Sequence, residues 1–339
     1  MSKKLTDRHA STNAADAQMS HTTSPSEAKF THRKCKPAEH DKSTGNSKLH
    51  TAKTGKQIRE YIAQGISVDI RNRFGETPLH TAANLAVARA LIEAGADVNA
   101  CDNKKNTPLH NACSVNVAKL LLDHGAKLNV DNCLTRNPLF NATTPELIQF
   151  FLDQGLRKTA HDHFGRTPLY YADTVECAKL LIPINFRSLK DTDGGCTPLH
   201  YVESIDVLLF LIENGAKLNA LDDSHRTPLM MHMQFGCYDQ AFALLQAGAD
   251  PTICDCTGKA PIHYANANLI PELLKAGANI NQQDAHGNTA LHCAVNSDII
   301  NALIENGADL TILNHENRSC LAHLIDIGYK FSDFFPNAG

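Results

Sequence analysis

Across residues 77–102, TPLHTAANLAVARALIEAGADVNACD, apolar side chains fall at helical spacing in two short runs with polar residues between them. The pattern predicts a first helix near Pro78–Ala83 and a second near Val87–Ala94, where Val87, Leu91 and Ile92 share a face and Gly95 ends the run. Helices this short are unstable alone in water, because nucleation costs more than their few hydrogen bonds return. Their apolar faces need a cover that neither provides.

The rest of the chain provides it. Thr77-Pro-Leu-His recurs from Thr107, Asn137, Thr167, Thr197 and Thr227, and in altered form from Ala260, Thr289, Ser319 and, one period earlier, Ser47. Successive starts lie 30 residues apart, except 33 after Thr227 and 29 after Ala260. A fixed period of this size marks a solenoid, in which each unit buries its apolar face on its neighbours. The expected fold is an all-α repeat solenoid of ten stacked helix-turn-helix units over residues 47–339, starting near 47, 77, 107, 137, 167, 197, 227, 260, 289 and 319.

Each column of the repeat has a physical role. Thr or Ser in the first column suits a helix N-cap and Pro in the second suits the first turn. The third column is apolar throughout, from Leu49 to Leu321, and the sixth is mostly Ala. Second helices are expected to begin at Thr144-Pro145-Glu146, Ser204, Ile270-Pro271-Glu272 and Ser297-Asp298. Gly65, Gly95, Gly125, Gly155, Gly215, Gly248, Gly277 and Gly307 stand where such helices end in a left-handed residue. An extended segment and a polar turn follow, which predicts a hairpin-like finger between helix pairs.

T-P-L-H-x-A-A, then L-L-x-x-G-A-D-V-N-A, then D-x-x-G resembles the ankyrin repeat over roughly residues 47–335. The family's unit is about 33 residues long, and here only the Thr227 unit reaches that length, with QFGCYD between its helices. The missing residues are therefore expected in the inter-helix turn. The resemblance implies a non-catalytic scaffold that binds a partner protein across finger tips and the exposed side of the first helices. It also implies that His50, His80, His110, His200, His263 and His292 tie one unit to the next.

By position, that surface holds Arg73, Phe74, Asn103, Lys104, Leu134, Arg136, His163, Phe164, Arg166, Asp193, Ser224, Arg226, Lys259 and His286. Phe74, Leu134 and Phe164 are expected as apolar anchors, ringed by Arg73, Lys104, Lys105, Arg136 and Arg166. The partner expected from that combination is an acidic protein segment with apolar side chains. Asn99, Asn129, Asn219 and Asn281 each follow a Leu by eight residues in the inter-unit loop. The resemblance makes them candidates for asparagine hydroxylation.

Composition changes the picture in few places. No run approaches the roughly 20 apolar residues of a membrane span, and the N-terminus has no apolar core of a secretory signal. Residues 1–46 are rich in Ser, Thr, Lys, His and Asn and read as a disordered basic tail, with 8 basic and 5 acidic side chains. The remaining residues hold 24 basic and 31 acidic side chains, so nucleic acid is not an expected partner. Eleven cysteines without a C-x-x-C pair fit reduced thiols in a cytoplasmic compartment. No cofactor or metal is expected, because histidines on layers about 8–10 Å apart cannot share one ion.

No hydrolase, Walker, zincin or kinase motif is present. The residues leave two other functions open: a solenoid that only targets an activity carried by a motif in residues 1–46, and an enzyme with an unrecognised site. HRKCKP, residues 32–37, is a short basic cluster that reads as a nuclear-import or docking element. Ankyrin arrays also occur in proteins delivered into host cells, and the short units fit an effector working as a monomer in a host cytoplasm or nucleus. The terminal aromatics Tyr329, Phe331, Phe334 and Phe335 are expected to cap the last layer.

Overall fold

The first helix of most units is far shorter than its apolar pattern suggests. In the computed structural model, which describes residues 44–294, 296–326 and 328, all described residues belong to the unit His40–Gly339. Residues 1–43 of the expected 1–46 tail and the terminal aromatics lie outside them. In chain order the helices begin with α1 (Gly55–Ala63), α2 (Leu85–Glu93), α3 (Val115–Asp123), α4 (Pro145–Asp153) and α5 (Val175–Leu181). They continue with α6 (Pro198–Tyr201), α7 (Ile205–Glu213), α8 (Pro228–Gln234) and α9 (Tyr238–Gln246). The series closes with α10 (Ile270–Lys275), α11 (Ala290–Cys293), α12 (Ser297–Glu305) and α13 (Cys320–Asp326). Among the described residues there is no β-strand, only an isolated bridge between Leu313 and Ser319.

The shortening falls elsewhere than the inter-helix turn. Three residues link first to second helix both in a 30-residue unit (82–84) and in the 33-residue unit (235–237). What changes is the first helix. It is seven residues long in α8 but a four-residue turn at Pro78–Thr81, Pro108–Asn111, Pro138–Asn141, Pro168–Tyr171 and Pro261–Tyr264, mostly with 3₁₀ geometry. Three residues are close to one helical turn, so their removal leaves the following chain in register.

Second helices start where their caps dictate. The side chains of Thr54, Asn84, Ser114, Thr144, Thr174 and Ser204 each accept the amide three residues on. Nearly all end at a glycine with φ between 86° and 102°, a conformation costly for other residues. The third-column residues Leu49 to Leu291 are buried and line one continuous core; Leu321 is half-buried.

First-column threonines behave differently from expectation. Thr227 does cap directly, accepting the Met230 amide at 3.3 Å. In the units from Thr77, Thr107, Thr197 and Thr289 a histidine takes over. Its Nδ1 accepts both the threonine amide, at 3.0–3.1 Å, and the threonine hydroxyl, at 2.9–3.0 Å. Where Tyr170 replaces histidine, the buried Thr167 hydroxyl has no hydrogen-bond partner.

Candidate functional site

With Nδ1 acting as acceptor, Nε2 of each column-four histidine carries the proton and donates it to the next unit. The acceptors are the carbonyls of Glu76, Asn106, Arg136, Arg226, Asn288 and Arg318, at 2.9–3.2 Å from His50, His80, His110, His200, His263 and His292. Tyr170 keeps the same link through its hydroxyl, 2.9 Å from the Cys196 carbonyl. Burial pushes the pKa of His50, His80 and His110 down and that of His200 down to about 4, which keeps the rings neutral.

Fingers are built from the same economy of short-range bonds. The Oδ1 of Asn72, Asp102, Asn132 and Asp162 accepts amides two and four residues on, closing each tip at 2.7–3.1 Å. The tips are then joined backbone to backbone. Asn103 N–H donates to the Phe74 carbonyl, Cys133 to Lys104, His163 to Leu134 and Thr192 to Phe164, at 2.7–3.0 Å. The ladder runs on through Asp223, Cys256, Ala285 and His315. At the tip corner a Cβ on Gly75 would meet the Asn103 side chain at 2.3 Å. Lys105, Thr135 and His225 hold the same corner at φ 55–61°, where glycine would be unstrained.

This geometry divides the residues expected at a partner surface. Arg73 and Lys104 are exposed, and Phe74 is 38% exposed with the Arg73 guanidinium 5.0 Å from its ring centroid. His163 is exposed and stands edge-on to the half-buried Phe164, 5.5 Å between ring centroids; Leu134 is also half-buried. Arg136 and Arg166 are buried, which corrects their expected place on the basic rim. Each runs back beneath the next finger to a carboxylate. Arg136 Nε and Nη2 meet Asp162 Oδ2 at 2.9 and 2.8 Å, and Arg166 Nε meets Asp191 Oδ2 at 3.0 Å.

Tyrosines complete these pairs, and the sequence reading missed them. Tyr171 donates to Asp162 Oδ2 at 2.8 Å while the Arg136 guanidinium lies 4.4 Å from its ring. Arg166 sits 4.2 Å from the Tyr201 ring and 2.8 Å from its hydroxyl. Burial pushes the Tyr171 and Tyr201 hydroxyls well above the ordinary tyrosine range. Arginine suits the joint because its planar fork can bind a carboxylate and stack on a ring together. The signal was available as an Arg just before the first column with a Tyr in the fifth column of the next unit, 35 residues on: Arg136 with Tyr171 and Arg166 with Tyr201.

The candidate asparagines do structural duty in the loops. Asn99 donates to the Gly125 carbonyl and accepts the Lys127 amide, at 3.0 and 2.9 Å. Asn219 accepts the Asp250 amide and Asn281 the Asp309 amide, at 3.0 and 2.9 Å; Asn129 is exposed. Among the described residues no group of three His, Cys, Asp or Glu side chains could hold a metal ion, and no helix is long and apolar enough to cross a membrane.

Comparison with known proteins agrees with this architecture. A family model described as ankyrin repeats (3 copies) matches residues 49–132, 139–222 and 229–314. Over 128 residues the chain is 33% identical to the transient receptor potential channel pyrexia of Drosophila melanogaster, covering 34% of this chain and 13% of the channel. Over 99 residues it is 32% identical to the B-cell lymphoma 3 protein homolog of Mus musculus, 27% of this chain and 22% of that protein. Over 108 residues it is 39% identical to a probable serine/threonine-protein kinase of Dictyostelium discoideum, 25% of this chain and 11% of the kinase. The chain thus spans less than a quarter of each of these relatives. The stacked helix pairs, the histidine links and the joined fingers, together with a family match across most of its length, show that this chain belongs to the ankyrin repeat family.

Proposed function

We propose that this chain is a non-catalytic scaffold that binds an extended, acidic protein segment across the fingers of its second to fifth units. The observation that carries the reading is the backbone ladder from Phe74 to Thr192, with tips locked at 2.7–3.0 Å. A surface ordered before binding costs little entropy on association, so modest contacts suffice for affinity. Arg73, Lys104 and Lys105 supply exposed positive charge, and Phe74 supplies an apolar anchor between them. Arg136 and Arg166 serve by holding the fingers, their charge being spent on Asp162 and Asp191. The positive part of the surface therefore centres on the second and third fingers.

Proximity labelling with the full chain, compared with a Phe74→Ala and Lys104→Glu variant, tests this. The labelled partner is expected to fall by about tenfold or more, as for the loss of interface anchors. Equal labelling by both chains would remove the finger surface as the binding site.

A further inference from the structure

The second helices turn one face to the core and one to solvent. At the middle of the solvent face the first five carry Arg59, Arg89, Lys119, Gln149 and Lys179. In α7 and α9 the same position holds Leu209 and Phe242. One turn earlier on those faces stand Ile205 and Tyr238, and Phe235 lies in the turn before α9. These five side chains are each 36–53% exposed. The two helices pack directly on each other, with Val207, Leu208 and Leu211 and then Ala241, Leu244 and Leu245 turned into the core. Ile205, Leu209, Tyr238 and Phe242 therefore lie on the opposite faces of the two neighbouring helices, with Phe235 exposed in the turn that precedes α9.

Charge changes over the same stretch. Residues 191–258 contain ten acidic and two basic side chains, whereas the whole chain contains 36 and 32. Glu203, Asp206, Glu213 and Asp239 lie on or just before α7 and α9, and neither helix bears Lys or Arg. The nearest cations on flanking second helices are Lys179 and Lys275, and Lys275 is engaged with Glu272 at 2.7 Å. Adjacent exposed apolar residues mark an interaction surface. The acidic rim selects what can use it: it repels an anionic membrane, and it sets carboxylate against carboxylate in a symmetric pair of copies.

We propose that the outward face of α7 and α9 is a second docking surface, for an amphipathic helix whose apolar side chains are flanked by Lys and Arg. Such a helix would lay its apolar stripe along Ile205, Leu209, Tyr238 and Phe242 while its cations meet the acidic rim. The surface lies on other units and other elements than the finger tips, so it stands independently of the binding reading above.

The test uses the full chain and a labelled synthetic peptide with Leu and Phe at helical i, i+3, i+4 and i+7 spacing and Lys on both flanks. Fluorescence anisotropy is expected to show binding that weakens with salt. A Glu-flanked peptide of the same apolar pattern is expected not to bind. Leu209→Lys with Phe242→Lys should weaken binding about tenfold or more, with an unchanged melting curve, because Lys119 and Lys179 already occupy that position. Asp206→Asn with Asp239→Asn leaves the apolar residues in place and should reduce the salt dependence, so the proposal stays testable if the lysine variant unfolds. Absence of binding, equal binding of both peptides, or binding untouched by these changes overturns it. Concentration-dependent self-association abolished by Phe242→Lys also overturns it, in favour of a second copy.

Discussion

The joints between fingers near the N-terminal end and those in the middle of the array solve one problem with different chemistry. In the first region two of these joints, at Asn46 and Asn106, are bridged to the next finger by amides. Asn72 donates to Asn46 and Asn132 to Asn106, both at 2.8 Å. In the middle the same two positions hold Arg136 with Asp162 and Arg166 with Asp191, backed by Tyr171 and Tyr201. Asn314 and Asn288 return to the amide form at 2.9 Å. Both fill the joint, but they differ in what breaks them. An amide pair needs two neutral groups, whereas a buried guanidinium needs its carboxylate or bears an unpaired charge. The charged form contributes registry more than net stability, since desolvation offsets most of its attraction.

The largest expected effect comes from removing the carboxylate while keeping the turn acceptor. Asp162→Asn should cost about 3–5 kcal/mol, measured as a shift in the urea midpoint, because Arg136 is left without its counter-charge. Adding Arg136→Asn rebuilds the amide pair of Asn106 and Asn132 and should recover most of that loss. A double variant no more stable than the single one would show that the two joints are not interchangeable.

Acid sharpens the comparison next, since column-four histidines link the N-terminal units and the Arg136 joint, whereas Phe140 and Tyr170 stand in that column in the two units that follow. Burial lowers the pKa of His50, His80, His110 and His200, with His200 near 4, while the unfolded chain titrates near 6.5. The unfolded state therefore binds more protons between those values. Stability is whole above about pH 6.5 and falls as pH drops towards 4, by about 3 kcal/mol from His200 alone. Amide hydrogen exchange at falling pH should show loosening first at the histidine-linked units and least at the layers of Phe140 and Tyr170. A midpoint independent of pH across this window would contradict the neutral-histidine joint.

The smallest effect lies at the finger corners. Thr135 adopts φ 55°, where the neighbouring finger has Gly165 at 75°. A β-branched residue there costs roughly 1–2 kcal/mol, and glycine's greater freedom in the unfolded chain offsets roughly half of that. Thr135→Gly should raise stability by about 0.5 kcal/mol, read from the same urea curves. A decrease would mean that the Thr135 hydroxyl, 2.7 Å from the Leu134 carbonyl, outweighs the strain.

The period of the T-P-L-H motif, the apolar third column and the glycine helix ends determined a stack of helix pairs, because each is a local demand that repeats in one register. The six histidines were legible as unit-to-unit links through the resemblance to the ankyrin repeat. The sequence alone could not tell which face of a joint a side chain takes. Arg136 and Arg166 read as surface charge until the next finger, 26 residues on, brought Asp162 beneath one and the following finger brought Asp191 beneath the other. Likewise, three missing residues fit either a shorter turn or a shorter helix, and only packing against the next layer put the loss into the first helix. Local pattern sets which elements form; the environment that decides whether a charge is exposed or buried is supplied by residues of the neighbouring unit.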